Sequence, residues 1–232
     1  IALARGDYIA RMDADDISLP DRLRRQMDFL AQHPDLGALG TYGWIIGERG
    51  KRVGMFRAGP TSVEEFRRKR AENKLIYMLA SSVVFSRELA IAIGGHRQDY
   101  AAEDVDFWTR IADTHVVLAI PEPLVCYRIH ASAYSTRQLV IQAAHARRAR
   151  ANAARRRAGL PEYSAEEFAL LERSDPWYRR LSRFRTVRGQ SYYRRGGAML
   201  AVGQPKGLLW VAVGSLIAPD VVSHKLRQQV PW

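Results

Sequence analysis

Three carboxylates stand within four positions at residues 13–16, in the order Asp13-Ala14-Asp15-Asp16. The stretch "YIARM" (8–12) comes directly before them and is typical of a short buried strand. Carboxylates packed so closely repel one another and resist burial, so they need either a bound cation or exposure to water. Mg²⁺ and Mn²⁺ take one or two protein carboxylates and fill their shell with water and phosphate oxygens. The pattern predicts either a cation site for a phosphorylated ligand or an acidic turn that caps the next helix.

A second acidic pair, Glu103-Asp104, lies in "GGHRQDYAAEDVDFWTRIA" (94–112), at the start of a predicted helix. The helix dipole favours acids at this end, so simple capping explains the pair without any function. A carboxylate there is also a well-positioned general base, because its backbone is held rigidly. Trp108 and Ile111 are expected to face the core. Both the capping and the catalytic interpretation remain open on the pattern alone.

Three segments carry a family resemblance. They are "ARGDYIARMDADDISLPDRLRRQMDFLAQHPDLGALG" (4–40), "GGHRQDYAAEDVDFWTRIA" (94–112) and "VCYRIHASAYST" (125–136). In this order they resemble the family-two inverting glycosyltransferases of the GT-A fold. The resemblance covers residues 1–136 and fades in the C-terminal region. It implies transfer of a sugar from a nucleotide-diphosphate sugar to an acceptor hydroxyl, in cell-surface glycan biosynthesis.

The resemblance implies a donor site around the first acid cluster. Asp15 and Asp16 would hold a divalent cation, Mn²⁺ or Mg²⁺, on the donor diphosphate. Asp13, with Arg11 and Asp15, would bind the nucleotide side of the donor. His130 matches a family position that approaches the metal or the diphosphate. A hydrogen-bonded surface imidazole is the alternative interpretation of His130.

The resemblance also implies the catalytic pair. Asp104 would deprotonate the acceptor hydroxyl, and Glu103 would orient the acceptor or the base. The cation would stabilise the charge that develops on the leaving diphosphate. A single in-line displacement then inverts the anomeric centre.

Two departures from the family pattern bear on this interpretation. The strand and the acids that bind the base and ribose in the family are missing, and the chain begins at Ile1. We therefore expect a fragment that lacks the N-terminal strands and is inactive by itself. No Gln-x-x-Arg-Trp element of processive synthases occurs, which favours transfer of a single sugar.

The elements that position these residues alternate between strand and helix. Expected strands are 8–12, 37–46, 52–56, 81–86, 115–120 and 124–130. Expected helices in the same part of the chain are 18–33, 61–72, 87–93 and 103–113. In the first helix, Leu23, Met27 and Leu30 share one face and are expected to be buried. The alternation predicts an α/β mixed-sheet sandwich with ligands at the carboxyl ends of its strands.

Charge divides the chain near residue 137. Residues 1–136 carry 18 Lys and Arg against 18 Asp and Glu, whereas residues 137–232 carry 18 against 6. We therefore predict two regions: 1–136, the metal and acceptor half of a GT-A catalytic domain, and 137–232, a basic helical region. The arginines there indicate a solvated face or an anionic membrane surface. "GLLWVAVGSLIAP" (207–219) is expected to be a buried helix rather than an interfacial one.

Composition limits the remaining possibilities. Nearly half of the residues are hydrophobic (47%), which permits a sizeable core and argues against general disorder. The single Cys126 cannot form an internal disulfide, so a cytoplasmic protein is expected, with peripheral contact to the cytosolic membrane face as an option. Expected partners are the donor and a glycan, lipid-linked or small-molecule acceptor. Nucleic acid is not expected.

Two other functions remain open on the sequence. A GT-A-like nucleotidyltransferase also uses acids and Mg²⁺. A basic membrane- or nucleic-acid-binding module would use its acids only as helix caps. The order of the three motifs favours the glycosyltransferase.

Overall fold

A computed structural model describes residues 1–129, 139–201 and 203–220. Its strands are β1 (Tyr8–Ala10), β2 (Ile17–Ser18), β3 (Leu36–Ile46), β4 (Arg52–Phe56), β5 (Val84–Ser86) and β6 (Val116–Arg128). Its helices are α1 (Arg22–Gln32), α2 (Val63–Ala71), α3 (Arg87–Ala92), α4 (Glu103–Thr114), α5 (Leu139–Arg157), α6 (Ala165–Ser174), α7 (Trp177–Ala201) and α8 (Gly207–Ile217). The predicted α/β class is confirmed.

The strands form one six-stranded sheet in the order β1-β5-β3-β6-β2, and β4 pairs with β3. β1 pairs antiparallel with β5, and β5 pairs antiparallel with β3. β2 pairs antiparallel with β6 through Ile17–Cys126 and Ser18–Val125. β1 and β2 therefore lie at the two ends of the strand order, although only residues 11–16 separate them. Four strand spacings amount to about 19 Å, so this acid-bearing segment has to run across the end of the sheet.

β6 continues through Pro121 and Pro123, where the sequence predicted a break between two strands. The prolines are two residues apart, so both missing N–H groups fall on the same side of the strand. Leu124 has the opposite parity, and its carbonyl accepts a hydrogen bond from the Leu19 N–H at 3.0 Å. Because both prolines lack their N–H group on the same side, they do not end β6.

Helix α1 differs from the prediction in its start and in its buried face. It begins at Arg22, because Ile17 and Ser18 are paired with β6. It ends at Gln32, just before Pro34, as expected. Its buried side chains are those of Arg22, Gln26 and Leu30. Leu23 and Met27 are 50% and 40% exposed, so the predicted apolar face is wrong in two of its three members.

Side-chain caps hold the starts of two helices. Ser62 caps α2 by accepting a hydrogen bond from the Glu65 N–H at 3.1 Å. Ser164 and Glu167 form a capping box at the start of α6. Each cap satisfies backbone donors that the first helical turn leaves without a partner.

The chain divides into two compact units. The first contains residues 1–44, 56–127 and 149–162, and the second contains 45–55, 128–148 and 163–232. The boundary predicted at residues 136 and 137 stays a prediction about the composition of the chain.

The core of the first unit lies on the sheet and is closed by α1 and α4. Trp108 and Ile111 are fully buried in it, as expected. Phe85 packs edge-on against Phe107 and Trp108, with ring centroids 5.1 and 5.7 Å apart. Cys126 is also buried. This packing holds the start of α4, and with it the second acidic pair, against the sheet.

In the second unit, α7 and α8 pack along a line of glycines. A Cβ atom on Gly196 would lie 2.6 Å from the Gly207 carbonyl oxygen, and one on Gly189 would lie 2.5 Å from the Ala218 Cβ. Higher positions on α7 meet lower positions on α8, so the two helices run antiparallel. Within residues 1–129, 139–201 and 203–220, no helix is both long and apolar enough to cross a bilayer.

Candidate functional site

The acid-bearing segment leaves β1 and is held by the chain just before β5. The Arg11 N–H donates to the Val83 carbonyl at 2.8 Å, which extends the pairing of β1 by one residue. The Asp13 N–H donates to Ser81 Oγ at 3.3 Å. The Asp16 N–H then donates to the Asp13 carbonyl at 3.3 Å and closes a turn. These hydrogen bonds from main-chain N–H groups fix the turn, in which Asp15 is exposed and Asp16 is half-buried.

Arg11 brings the two acidic motifs together. Its Nη2 lies 3.6 Å from Asp13 Oδ1 and 3.5 Å from Glu103 Oε1. These carboxylates belong to motifs that are 90 residues apart in the chain. A guanidinium between them offsets the repulsion that two nearby carboxylates would otherwise feel. The structure therefore brings Arg11 and Asp13, predicted to bind the donor, together with the predicted pair at residues 103–104.

Asp104 is held at the first turn of α4, where its Oδ1 accepts a hydrogen bond from the Val105 N–H at 2.8 Å. Burial raises the pKa of Asp104, and the neighbouring Glu103 carboxylate raises the pKa further. The Val105 hydrogen bond and the Arg11 charge act in the opposite direction. A carboxyl group whose pKa is raised in a cleft is a better proton acceptor than an ordinary surface aspartate.

Arg22 and Gln26 form a buried polar pair on α1 that is hydrogen-bonded to the start of the acid-bearing turn. The sequence patterns did not predict this pair. Arg22 donates from Nη2 to the Arg11 carbonyl at 2.9 Å and from Nε to Gln26 Oε1 at 3.0 Å. Gln26 donates from Nε2 to the carbonyls of Leu39 and Ser82, both at 2.8 Å. The pair thus joins β3, the segment before β5 and the start of the acid-bearing turn.

Arg22 is 2% exposed, and burial lowers its pKa to about 10. It therefore remains a cation at neutral pH, in the core beneath an acidic turn. The signal that could have identified the pair was its spacing of four, which places both residues on the Leu30 face. The apolar periodicity of the helix instead predicted that Leu23 and Met27 would be buried.

His96 is a second residue that the sequence patterns did not single out. Its ring stacks on Phe107, with centroids 4.2 Å apart and planes at 27°. Burial lowers the pKa of His96, and the Arg11 guanidinium lowers it further. Its Nδ1 is buried without a hydrogen-bond partner. The His96 ring is thus uncharged at neutral pH and lies beside Arg11 and Glu103.

The positions of the side chains bear on whether a metal ion can bind. Across the described ranges, no three His, Cys, Asp or Glu side chains converge as ligands of one ion. The predicted ligand His130 lies outside those ranges. Asp15 and Asp16 supply hard oxygen donors on one turn, and two carboxylates are what Mg²⁺ or Mn²⁺ needs when a diphosphate completes the shell. The residues present therefore fit a cation that binds together with its phosphate ligand.

Comparison with known proteins gives a family for the acid-bearing part. Residues 1–94 match the model of glycosyl transferase family 2. The amylovoran biosynthesis glycosyltransferase AmsE of Erwinia amylovora is 30% identical over 124 residues, which are 53% of this chain and 45% of AmsE. The O-antigen biosynthesis glycosyltransferase WbnJ of Escherichia coli is 29% identical over 129 residues, 53% of this chain and 47% of WbnJ.

An uncharacterized glycosyltransferase of Haemophilus influenzae is 32% identical over 144 residues, 59% of this chain and 50% of that protein. The chain thus spans about half the length of these relatives. Among solved structures, a mannosyltransferase from Pyrobaculum calidifontis has a TM-score of 0.43 at 18% identity, covering 93% of this chain and 56% of the other. The family match and the six-stranded sheet confirm the predicted GT-A type of fold. Over residues 1–94, this chain is similar to glycosyl transferase family 2.

Proposed function

We propose that the protein transfers a single sugar from a nucleotide-diphosphate sugar to an acceptor hydroxyl, with inversion, in the biosynthesis of a cell-surface polysaccharide. The observation that carries this proposal is the position of Arg11, in contact with both Asp13 and Glu103. It supports a single site built from a donor half and an acceptor half. The family match favours this function over the nucleotidyltransferase. Two of the relatives carry names from amylovoran and O-antigen biosynthesis, which supports the polysaccharide context.

Donor binding is assigned to the turn at residues 11–16. Asp15 and Asp16 would hold a divalent cation, Mn²⁺ or Mg²⁺, and His130 is proposed as a further ligand. The ion, when bound, supplies positive charge that stabilises the leaving diphosphate. Arg11 and Asp13 orient the nucleotide side, with Asp15 shared between both tasks. Main-chain hydrogen bonds hold the turn in place, so its carboxylates keep their positions at the surface as the donor binds.

Proton transfer is assigned to Asp104. The carboxylate takes the proton of the acceptor hydroxyl while the acceptor oxygen attacks the anomeric carbon. The bond from that carbon to the diphosphate oxygen breaks, and the nucleoside diphosphate leaves with the electron pair. Because the attack comes from the face opposite the leaving group, one displacement inverts the centre. Glu103, held by Arg11 at 3.5 Å, positions the acceptor and raises the proton affinity of Asp104.

The cellular setting is part of the proposal. We place the protein in the cytoplasm, at the cytosolic face of the membrane where a lipid-linked or glycan acceptor is available. The free Cys126 supports a reducing compartment. The basic excess of residues 137–232 supports attraction to an anionic surface.

The decisive test measures sugar transfer by the protein and its variants, with donor binding measured alongside. Asp104→Asn is expected to lower kcat by roughly 10²- to 10⁴-fold, the usual contribution of a general base, while donor binding stays unchanged. Asp99→Asn, in the preceding loop, is the matched control and should keep its turnover. Wild-type turnover in Asp104→Asn would remove the assignment of the base.

The cation assignment has its own readout. Asp15→Ala is expected to abolish the Mn²⁺ dependence of nucleotide-sugar binding, measured by calorimetry with and without the metal. Asp21→Ala, at the start of α1, is the control acid. If Asp15→Ala and Asp21→Ala bind donor and metal equally well, the proposed cation site is wrong.

A further inference from the structure

The outer face of α8 is apolar and uncovered. Residues 207–217 contain no charged side chain. Gly207 and Gly214 face α7 and are buried, whereas Leu208, Leu209 and Leu216 are 63%, 66% and 81% exposed. A helix that is apolar on every side normally lies inside a core or in a membrane. The sequence-based expectation of a buried helix therefore holds for the glycine side of α8 and fails for its leucine side.

The first turns of α7 also expose large apolar side chains. Trp177, Leu181 and Phe184 are exposed and lie on one side of the helix, because they are spaced by four and three residues. Trp177 is 74% exposed. Tyr178, beside them, is also exposed. Large aromatic side chains in such positions mark a contact surface rather than a solvated helix.

Basic side chains share this surface. The segment from Pro176 to Pro219 contains seven Arg, one Lys and no Asp or Glu. The Arg188 guanidinium lies over the Phe184 ring at 5.9 Å, and that of Arg195 lies over the Trp210 ring at 4.4 Å. Such stacking keeps these cations next to aromatic groups.

The other arginine cluster, on α5, is different in kind. Arg156 pairs with Asp113 at 2.6 Å and with Glu162 at 3.2 Å. Arg147 pairs with Glu172 through two hydrogen bonds. Those charges are paired within their own units. On α7, Arg179 and Arg183 are likewise paired, with Asp175, so the basic part of the surface rests on the arginines that stack on aromatic rings, Arg188 and Arg195.

We propose that the α7–α8 hairpin is a docking surface for an anionic lipid bilayer and lies in the headgroup region with its leucines and aromatic rings directed into the lipid. An 11-residue helix is about 16 Å long, roughly half of what a bilayer core requires, so α8 lies in the interface. Basic residues at the rim of an apolar face are the composition that interfacial helices use. This inference stands independently of the transferase activity.

Charge distinguishes among three possible partners of this surface: a second copy of the chain, a nucleic acid and an anionic bilayer. Two copies meeting through this face would bring together two segments that each carry eight basic and no acidic side chains, and they would repel. A nucleic acid would neutralise the arginines but leave the exposed leucines in water. An anionic bilayer satisfies both the cations and the apolar side chains.

The test is co-sedimentation of the 232-residue chain with vesicles of phosphatidylcholine alone or with 30% phosphatidylglycerol, at 50 and 500 mM NaCl. We expect binding to the anionic vesicles at low salt and a loss of at least about tenfold at high salt. The triple variant Leu208→Ser, Leu209→Ser, Leu216→Ser should lose about tenfold or more in affinity. Leu170→Ser, at an exposed position of α6, is the matched control and should bind like the wild type.

A second measurement uses tryptophan fluorescence. Brominated lipid acyl chains should quench tryptophan fluorescence in the bound wild-type chain, and Trp177→Phe should remove a large part of that quenching. Several results would overturn the proposal: no sedimentation with anionic vesicles, equal binding to neutral ones, or a triple variant that binds unchanged. A salt-stable dimer or tight binding to a single-stranded oligonucleotide, in place of vesicle binding, would overturn it too.

Discussion

Replacing the buried Gln26 by methionine is expected to destabilise the first unit strongly, although the two side chains are nearly equal in length. The change removes the two hydrogen bonds from Nε2 to the carbonyls of Leu39 and Ser82, each 2.8 Å long. It also removes the Oε1 acceptor of Arg22 Nε at 3.0 Å. Gln26 is 0% exposed, so water cannot replace these partners.

The size of the loss in the free energy of unfolding follows from the number of buried polar groups that lose their hydrogen-bond partner. A buried polar group that loses its hydrogen bond costs about 1–3 kcal/mol, and more when it is charged, as Arg22 is. Two carbonyls and one guanidinium nitrogen therefore predict a loss of at least about 3 kcal/mol. Since whole domains are stable by only about 5–15 kcal/mol, this is a large fraction of the free energy of unfolding.

The assay is urea unfolding, together with hydrogen exchange at the Thr41 amide, which is bonded to Ser82 Oγ at 2.9 Å in the same polar layer. Gln32→Met is the matched control, because Gln32 lies exposed on the same helix and bonds only locally, to the Asp28 carbonyl. It should change the free energy of unfolding by less than about 0.5 kcal/mol. Equal losses in both variants would refute the role assigned to the Arg22–Gln26 pair.

Two further predictions concern the catalytic pair and the sheet. Glu103→Gln should move the acidic limb of the kcat/KM profile to lower pH, because it removes a carboxylate that raises the pKa of Asp104 and the base is active when deprotonated; an unchanged or higher limb would contradict the proposed coupling. Gly43→Ala should cost about 1–3 kcal/mol in urea unfolding, because its Cβ would lie 2.5 Å from Leu79 Cδ2 and 2.9 Å from Val125 Cγ2. Gly6→Ala, whose Cβ meets only the Tyr8 carbonyl at 3.5 Å, is its control, and a comparable loss there would count against the packing argument.

Local signals in the sequence were sufficient for most of the elements. The caps at Ser62 and Ser164 and the stop at Pro34 act within one helical turn, so the pattern contains what is needed to find them. The same holds for the acids at the end of β1 and the start of α4, whose positions follow from strand and helix ends. The amino-acid pattern is therefore enough to name these residues, and the family match over residues 1–94 agrees with the first group of them.

What the sequence alone determined is the order of the elements, the placement of its acids and the concentration of positive charge after residue 137. Tertiary structure decided which side chains meet. Arg11 contacts Glu103 only because the strand end and the start of α4 are brought together across the sheet. Arg22 and Gln26 displace two apolar residues from the buried face because the carbonyls they bind come from distant segments. Helical periodicity reflects only the polarity of residues along one helix. It cannot predict hydrogen bonds to residues that are distant in sequence.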